Sequence, residues 1–348
     1  STPLYSSAAS DVYKRQLFND PYDIVEEMVE GYVGAHKQYV KMCDLDEAQG
    51  RVVLANDAGT KDKVGVIIGG GSGHEPLFIG YVGEDFADAV VIGNINTSPS
   101  PDPCYAAAKA CDNGKGCIYL YGNYAGDVMN FDMGAEKADE EDDIRVETVL
   151  VTDDVVSSEN IPDRRGIAGD FFVFKVAGAK AATGADLDEV VAAAQKANDN
   201  TRSMGVAMSS ATLPAKGGTI FDMEDGDMEI GMGIHGEPGI RRGKIDTADN
   251  VIDEIMEPIL KDLPYVEGDE VYVLVNSLGA TPLIDLHVCY RRVAQILEEK
   301  GIKVYKALVG PFACSMDMAG MSVTLMKLDD ELKELMDAPC DTPYFTQK

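Results

Sequence analysis

Short apolar runs, most of them rich in β-branched residues, alternate with helical segments through the first half of the chain. The pattern predicts strands at residues 63–68, 89–92, 117–121 and 146–151, and helices at 104–111 and 127–138. Strands that are apolar nearly throughout are buried on both faces, which is typical of a parallel sheet covered by helices. The sequence therefore predicts an α/β fold whose N-terminal three-layer α/β domain is built on a mostly parallel sheet.

The pattern changes beyond residue 185. An Ala-rich helix is predicted at 187–198, and short strands separated by polar turns are predicted at 203–210, 218–221 and 228–232. Short strands joined by turns favour antiparallel pairing, so we predict a second α+β domain of two layers with a mixed sheet. The predicted domains are 19–185 and 186–348, and residues 1–18 are expected to be a disordered or non-native tail.

The second half also carries clear helix signals. A helix is predicted at 248–263, and Pro258 is expected to kink or divide it because proline lacks an amide proton. A longer helix is predicted at 282–300, with Pro282 and Gly301 at the positions that these residues favour near helix ends.

The charge balance bears on which partners the chain can have. Asp and Glu total 60 against 30 Lys and Arg, which gives a formal net charge of −30. A nucleic-acid backbone needs a positive counter-surface, so this balance argues against nucleic acid as a partner, and also against an anionic membrane surface. No apolar run approaches the length of about 18 residues that a membrane-spanning helix requires. The acid-rich stretch 136–143 is expected to be a solvated helix end.

Cysteine usage indicates a reducing compartment. The chain has seven cysteines, an odd number, and none forms a CxxC pair. A disulfide framework or a structural zinc site is therefore not expected, and we predict reduced thiols, a cytoplasmic location and no bound metal.

A glycine-rich segment, GGGSGHEP at 69–76, follows the predicted strand at 63–68. The dinucleotide fingerprint GxGxxG fails in every register, and a P-loop fails because Lys115 is followed by Gly116. What remains is a tight turn of exposed backbone N–H groups with almost no side chains, which lets a small polar ligand approach the main chain. The simpler alternative is a plain tight turn.

Two of the four histidines stand in matching surroundings. His74 lies in Gly-His-Glu-Pro and His235 in Gly-Ile-His-Gly-Glu-Pro-Gly, each in a glycine-rich turn that a proline ends. An imidazole on such a turn suits proton transfer or nucleophilic attack near neutral pH. Metal ligation is the alternative, although HxH and HExxH patterns are absent. His36 and His287 lie within predicted helices and are expected to be structural.

Two further candidates follow predicted strands. Asp127 ends the motif YGNYAGD at the start of a predicted helix, where it is either a helix cap or a base for a substrate hydroxyl. Thr97 lies in a similar loop after the strand at 89–92 and would add a hydroxyl. The carboxyl ends of strands are where α/β folds bind ligands.

Six motifs, in order along the chain, resemble those of the substrate-binding subunit of dihydroxyacetone kinases, the DhaK family. They are GGGSGHEP at 69–76, NTSPSPD at 96–102, GNYAGDVMNF at 122–131, GMGIHGEPG at 231–239, NSLGATPL at 276–283 and SMDMAGMSVTLMKLDDE at 315–331. The resemblance runs from about residue 20 to residue 345. It implies that the chain is a kinase subunit that binds dihydroxyacetone.

The resemblance also implies a covalent mechanism. His235 would add to the carbonyl of a short ketose to give a hemiaminal, and His74 would assist the proton transfer. Asp127 would accept the proton of the hydroxyl group that is phosphorylated. The substrate-binding residues would be Gly70, Gly71, Ser72, Gly73, Gly122 and Thr97. Only a ketone can form the hemiaminal, so covalent capture would separate dihydroxyacetone from glycerol.

Some members of the family carry Lys at the position of Gly122. Its replacement by Gly removes a donor and is expected to open space, so a four-carbon ketose such as erythrulose is an alternative substrate. A non-enzymatic ketose sensor or co-activator is an alternative from another functional class. The presence of His74, Asp127 and His235 together favours the kinase subunit.

Kinases of this family place ATP and magnesium on a separate helical module. The residues after 283 are accounted for by one long helix, two strands and a short helix, so we expect no nucleotide cofactor on this chain. ATP, or ADP, with Mg would belong to a separate L-type nucleotide-binding subunit. The resemblance further implies a homodimer.

Overall fold

The structure is a computed structural model that describes residues 16–348. Most of the predicted tail at 1–18 lies outside the described residues. Of its last residues, Gln16 donates a side-chain hydrogen bond to the carbonyl of Thr212. The helices are α1 Ile24–His36, α2 Pro101–Cys111, α3 Ala125–Asp142, α4 Asp170–Ala182, α5 Leu187–Asp199, α6 Ala248–Asp262, α7 Leu283–Glu299 and α8 Asp330–Asp337.

Two six-stranded sheets organise residues 16–348. The strands of the first sheet are β1 Val40–Met42, β2 Val52–Ala55, β3 Gly65–Ser72, β4 Ala89–Ile95, β5 Cys117–Gly122 and β6 Val146–Val151. Its order is β1-β2-β4-β3-β5-β6, with β4, β3, β5 and β6 parallel and β1 and β2 antiparallel at one edge. The mostly parallel first sheet is confirmed.

The second sheet is mixed, as predicted. Its strands are β7 Thr201–Ala207, β10 Asp227–Ile230, β11 Arg241–Lys244, β12 Glu270–Ser277, β13 Lys303–Gly310 and β14 Gly320–Leu328. Only β12 and β13 pair in parallel. Two short hairpins complete the described fold: β8 Thr212–Leu213 with β9 Gly218–Thr219, and β15 Cys340–Asp341 with β16 Thr346–Gln347.

Alternate side chains of the second sheet enter two different cores. On β12, Tyr272 and Leu274 belong to the large core that contains the first sheet, whereas Val271 and Val273 pack with α6 and α7 in a second core. The period of two along a strand sends successive residues to opposite faces, so this sheet is buried on both sides. Helix α4 is buried on nearly all sides, and its Phe172 contacts Tyr272 of the second sheet.

Helix α5 follows the predicted domain boundary at 185. It begins with a capping box between Asp186 and Glu189, which satisfies two amide groups at the helix start. The helix nevertheless packs on β5 and β6 of the first sheet. The division into 19–185 and 186–348 therefore stays a prediction.

One local expectation was wrong, and one of the two outcomes expected at Pro258, division of the helix, does not occur. Gly69, Gly70 and Gly71 do not form a turn, because β3 continues through them to Ser72. A Cβ on Gly69 would lie 2.6 Å from the carbonyl oxygen of Val91, so glycine here allows strands and helix to approach closely. Helix α6 is not divided at Pro258, which lies inside a single helix.

Candidate active site

The candidate site lies where the carboxyl ends of the parallel strands meet loops of the second half. His74 follows β3, Ser98 follows β4, Asp127 follows β5 and Arg165 lies in the segment that follows β6. His235 comes from the loop between β10 and β11. The carboxyl edge of an α/β sheet is the expected place for a ligand, because the loops there converge.

The structure brings the two predicted histidines into direct contact. Nε2 of His74 lies 3.0 Å from Nε2 of His235, and the rings meet edge to face. Nδ1 of His74 donates a hydrogen bond of 2.7 Å to the carbonyl of Cys314. That bond fixes the Nδ1–H tautomer of a neutral His74 and leaves its Nε2 as an acceptor.

The two imidazoles differ in environment. His74 is buried, whereas 22% of the His235 side chain is exposed. Burial, together with the positive charge of His235, lowers the pKa of His74 to about 3. His74 is therefore neutral at physiological pH, and only His235 is open to a ligand from solvent.

Glu237 holds His235 from the other side. Its carboxylate accepts a hydrogen bond of 3.1 Å from the backbone N–H of His235 and lies 3.3 Å from Nδ1 of the ring. Burial raises the pKa of Glu237, but the hydrogen bond and charge of His235 and the charge of Arg165 lower it to about 2. The rings of Tyr124 and His235 meet edge to face, with their centroids 4.5 Å apart. The imidazole of His235 is therefore held by Glu237 on one side and by Tyr124 on another.

Asp127 is the third residue of α3 and is buried. Its Oδ1 has no hydrogen-bond partner among the described residues. Burial raises the pKa of Asp127 to about 6, and the hydroxyl of Ser98 and the charge of His235 lower it less. A carboxylate serving only as a helix cap would have its oxygens bonded to amides, so the unpartnered oxygen favours a role toward a ligand.

Two more carboxyl groups lie beneath the site. Asp153 accepts hydrogen bonds of 2.8 Å from the amides of Ile167 and Gly169, which fixes the loop after β6. Asp170 is fully buried, and its Oδ1 has no partner among the described residues. Burial, followed by the nearby charges of Asp153 and Asp127, raises the pKa of Asp170 well above its ordinary value.

The glycine-rich segment differs from the exposed loop that the sequence suggested. Gly70, Gly71, Ser72 and Gly73 are all buried. The Ser72 hydroxyl donates to the carbonyl of Gly93 at 2.8 Å, and the Gly73 amide donates to the carboxylate of Glu75. These groups hold the segment in place, and this turns the imidazole of His74 toward His235.

Gly122 also differs from expectation, whereas contact of Thr97 with a substrate stays a prediction. The space beside Gly122 is not open: a Cβ there would lie 3.2 Å from the Tyr124 ring and 3.3 Å from the carbonyl of Gly166. The Tyr124 hydroxyl donates to that same carbonyl at 3.0 Å, which keeps the ring in the space. Thr97 is exposed and its hydroxyl donates to the carbonyl of Ile95, so its neighbour Ser98 is the hydroxyl beside Asp127.

Sequence reasoning missed several groups that shape the site. Glu237 carried a signal, because it lies two residues after His235 in the same glycine-rich motif. Tyr124 lies inside a quoted motif but had no assigned role. Arg165 and the carbonyl of Cys314 carried no local signal, because chain topology alone brings them to the site.

No group of three or more His, Cys, Asp or Glu side chains within residues 16–348 is arranged to hold a metal ion. None of the seven cysteines, all of which lie in that range, forms a disulfide. Within the same residues, each helix is too short or too polar to cross a membrane.

Comparison with known proteins gives consistent matches. The Dak1 domain family matches residues 30–344. The dihydroxyacetone-binding subunit DhaK of the PTS-dependent dihydroxyacetone kinase 2 of Listeria innocua is 61% identical over 331 residues, covering 95% of this chain and 99% of that subunit. The L-erythrulose 1-kinase of Mycolicibacterium smegmatis is 43% identical, and the match covers 94% of this chain and 57% of that protein. The crystal structure of the dihydroxyacetone kinase of C. freundii superimposes with a TM-score of 0.85 at 31% identity, covering 96% of this chain and 60% of that one.

Proposed function

The chain belongs to the Dak1 domain family, and from that premise we propose that it is the ketose-binding subunit of a dihydroxyacetone kinase. It captures dihydroxyacetone as a hemiaminal on His235, and a separate nucleotide-binding subunit supplies the phosphoryl group. The observation that carries the proposal is the 3.0 Å contact between the Nε2 atoms of His74 and His235.

The hydrogen bonds around this pair fix its proton content. The Cys314 carbonyl and the Glu237 carboxylate only accept, so each needs a proton on the Nδ1 atom that faces it. The contact between the two Nε2 atoms needs a third proton. Two neutral imidazoles carry only two, so the resting pair carries one positive charge, which the Glu237 carboxylate balances. His74 is the more deeply buried ring, so in this proposal the charge lies on His235, beside the Glu237 carboxylate.

Capture of a ketone follows from this arrangement with all atoms accounted for. The shared proton moves to Nε2 of His74, which frees the lone pair on Nε2 of His235. That lone pair attacks the ketone carbon, the C–N bond forms, and the electrons of the C=O double bond move to oxygen. His74 then gives the proton to this oxygen, because its low pKa makes its protonated form a strong donor. The product is a hemiaminal hydroxyl, a neutral His74 and a cationic, N-alkylated His235 facing Glu237.

Covalent capture gives a discrimination that hydrogen bonds do not provide. A three-carbon ketose and glycerol have similar size and hydroxyl groups, and so small a ligand yields little binding energy. Only the ketone has a carbon that His235 can attack. A site that recognises the substrate by bond formation therefore rejects glycerol without a larger pocket.

Asp127 is placed for the second half of the reaction. Its pKa of about 6 leaves it mostly ionised near pH 7.5, and its unpartnered Oδ1 can accept a hydrogen bond from a substrate hydroxyl. As the phosphoryl group arrives, the hydroxyl loses its proton to this oxygen. The relatives named as dihydroxyacetone-binding subunits support a separate phosphoryl-carrying partner, and their PTS-dependent names favour donation through a phosphotransferase protein over free ATP.

The choice of ketose depends on the wall formed by Gly122 and Tyr124. The erythrulose kinases among the relatives make a four-carbon ketose the second candidate. The Tyr124 ring lies against the position of Gly122, so the missing side chain does not open extra space there, and this favours the smaller substrate. Phosphorylation rates for dihydroxyacetone, both erythruloses and glycerol, measured with an added nucleotide subunit, decide between them.

Covalent capture is tested by NMR on protein labelled with 15N in histidine and soaked with dihydroxyacetone labelled with 13C at the carbonyl carbon. The expected result is a tetrahedral carbon with a one-bond coupling to nitrogen, which separates the adduct from the free hydrate. His235→Ala should abolish the coupling, and His287→Ala, which changes an exposed histidine of α7, should retain it. A coupling that survives in His235→Ala, or its absence in the unaltered protein, would overturn the proposal.

A homodimer and a cytoplasmic location complete the proposal. The family resemblance supports the homodimer, and the free cysteines support the cytoplasmic location. Sedimentation equilibrium of the purified chain tests the homodimer.

A further inference from the structure

The loop that carries His235 leaves no room for a side chain at Gly233. A Cβ on Gly233 would collide with Oε2 of Glu237 and would lie 2.8 Å from Nη1 of Arg165. Two charged side chains therefore converge on the backbone position two residues before the histidine. A side chain at Gly233 would therefore have to displace the ends of Glu237 and Arg165 from the positions that they hold.

Arg165 is anchored away from the loop. Its Nε and Nη2 atoms donate to the same carboxylate oxygen of Asp154, at 3.1 and 2.7 Å. The side chain of Asp154 is almost completely buried. This anchor leaves Nη1 facing the loop, where it lies 3.8 Å from Oε2 of Glu237. Nη2 also reaches the carbonyl of Gly231 at 3.5 Å.

The two carboxylate oxygens of Glu237 have different partners. Oε2, the oxygen nearer to Arg165, accepts the backbone N–H of His235. Oε1 faces Nδ1 of the His235 ring. A carboxylate is planar, so the contacts that hold Oε2 restrict where Oε1 can lie. The position of Arg165 is therefore transmitted to the imidazole through the carboxylate.

We propose that Arg165 is a positioning residue for covalent capture, which orients the Glu237 carboxylate so that His235 keeps its Nδ1 proton when it gives up the proton on Nε2, and Nε2 is the atom offered to the ketone. The proposal rests on the proposed function for its consequence, but its first effect is on the free protein. Asp154, Arg165, Glu237 and His235 then form one continuous chain from the first half to the reacting nitrogen.

The neighbouring arginine shows what a purely structural role looks like. Arg164 forms a two-pronged ion pair with Asp262 and donates to the carbonyl of Ser158. No contact recorded for Arg164 reaches Glu237 or His235. Adjacent arginines of one segment thus hold different parts of the protein, and only Arg165 points toward the histidine loop.

The test is Arg165→Lys. Lysine keeps a positive charge beside Asp154, but it lacks the planar fork that contacts Asp154 and Glu237 at once. In the free protein, 15N NMR of labelled histidine should move the His235 Nδ1 signal from the protonated toward the unprotonated range. The dihydroxyacetone concentration for half-maximal adduct should rise about 10-fold, as for a weakened ion pair that is partly buried.

Arg164→Lys is the matched control. Arg164 forms a comparable fork on Asp262 from the adjacent position, without a contact to Glu237 or His235. It should change thermal stability by a similar amount and leave both NMR readouts unchanged. Unaltered Nδ1 signal and half-saturation in a folded Arg165→Lys would overturn the positioning role.

A second variant tests the proposal if Arg165→Lys does not fold. Arg165→Met combined with Asp154→Asn removes both charges of the pair, so no unpaired charge stays buried. If the proposed capture itself fails, no adduct forms in the unaltered protein, yet the Nδ1 signal of the free protein still decides the role of Arg165. The two failures are therefore distinguishable.

Discussion

Asp127→Asn is expected to make the folded protein more stable while it stops turnover. Asp127 is buried, its Oδ1 has no partner among the described residues, and burial raises its pKa to about 6. A carboxyl group with a raised pKa favours the folded state only while it is protonated. When it ionises, the folded state loses stability relative to the unfolded chain.

The size of this effect follows from the structure. Raising a carboxyl pKa from 3.8 to about 6, at about 1.36 kcal/mol for each pH unit, costs about 3 kcal/mol of unfolding free energy when the group is fully ionised. The cost is complete at pH 8, about half as large at pH 5, and absent below the unfolded pKa near 4. An amide removes the cost, although its unpaired N–H groups offset about 1 kcal/mol.

Urea unfolding at pH 5 and pH 8 measures the stability cost of ionising Asp127. The unfolding free energy of Asp127→Asn relative to the unaltered protein should rise by about 1 to 2 kcal/mol between the two pH values. Asp132→Asn changes an exposed aspartate of the same helix and should show no such dependence. Adduct formation should survive in Asp127→Asn, whereas phosphorylation with an added nucleotide subunit should be lost.

If the difference in unfolding free energy between Asp127→Asn and the unaltered protein is the same at pH 5 and pH 8, the pKa of Asp127 is not raised by burial. The role of Asp127 as a base is wrong if Asp127→Asn loses adduct and turnover together, since that pattern belongs to a helix cap that shapes the site. A stabilised variant without turnover matches the trade-off expected where a buried ionisable group serves chemistry.

Three further changes test neighbouring groups. Gly233→Ala should weaken ketose capture at least 10-fold, because its Cβ collides with Glu237, whereas Gly218→Ala, which meets open space, should not; adduct titration by NMR compares them. Glu237→Gln should lower the free energy of unfolding, measured in urea, by the same amount at pH 7 and at pH 5.5. The pKa of Glu237 is lowered to about 2 in the folded protein, so its carboxylate contributes its full stabilisation above the unfolded value of 4.5. That stabilisation is lost only as the pH falls from 4.5 toward 2. His74→Gln should slow the rate of adduct formation in stopped-flow or rapid-quench measurements more than it weakens the adduct, since His74 moves the proton but forms no bond to the ketone.

Much of the fold could be predicted because it depends on local patterns. The strand at 117–121 is apolar on both faces, and the structure buries β5 completely within a parallel sheet. The same reasoning was wrong at Gly69–Gly71, where three glycines resemble a turn. There the absence of side chains serves close packing against Val91, and that neighbour lies on another strand which the local sequence does not reveal.

The site was predictable only as separate pieces. His74 and His235 each lie in a recognisable glycine-rich motif, but 161 positions separate them. The tautomer of His74 depends on the Cys314 carbonyl, a backbone atom that no side-chain pattern can indicate. The interpretation of Gly122 was wrong for a related reason: whether a glycine leaves space depends on what packs beside it, and here Tyr124 fills the volume.

The ionisation states at the site explain why its parts belong together. Burial keeps His74 neutral and raises the pKa of Asp127 to about 6, so that Asp127 is about half protonated at pH 6. Burial also favours the protonated form of Asp170. The raised pKa values of the two carboxyl groups cost stability near neutral pH, whereas the lowered pKa of His74 costs stability only below its ordinary value of 6.5. The large core around the site offsets these costs. The cation of Arg165 is already matched by Asp154 and Glu237, and the ring of His235 faces Glu237. An acidic ligand would therefore bring a negative charge without a free cation in the described part of the site to meet it, whereas a neutral ketose, the substrate of the proposed function, would add no charge.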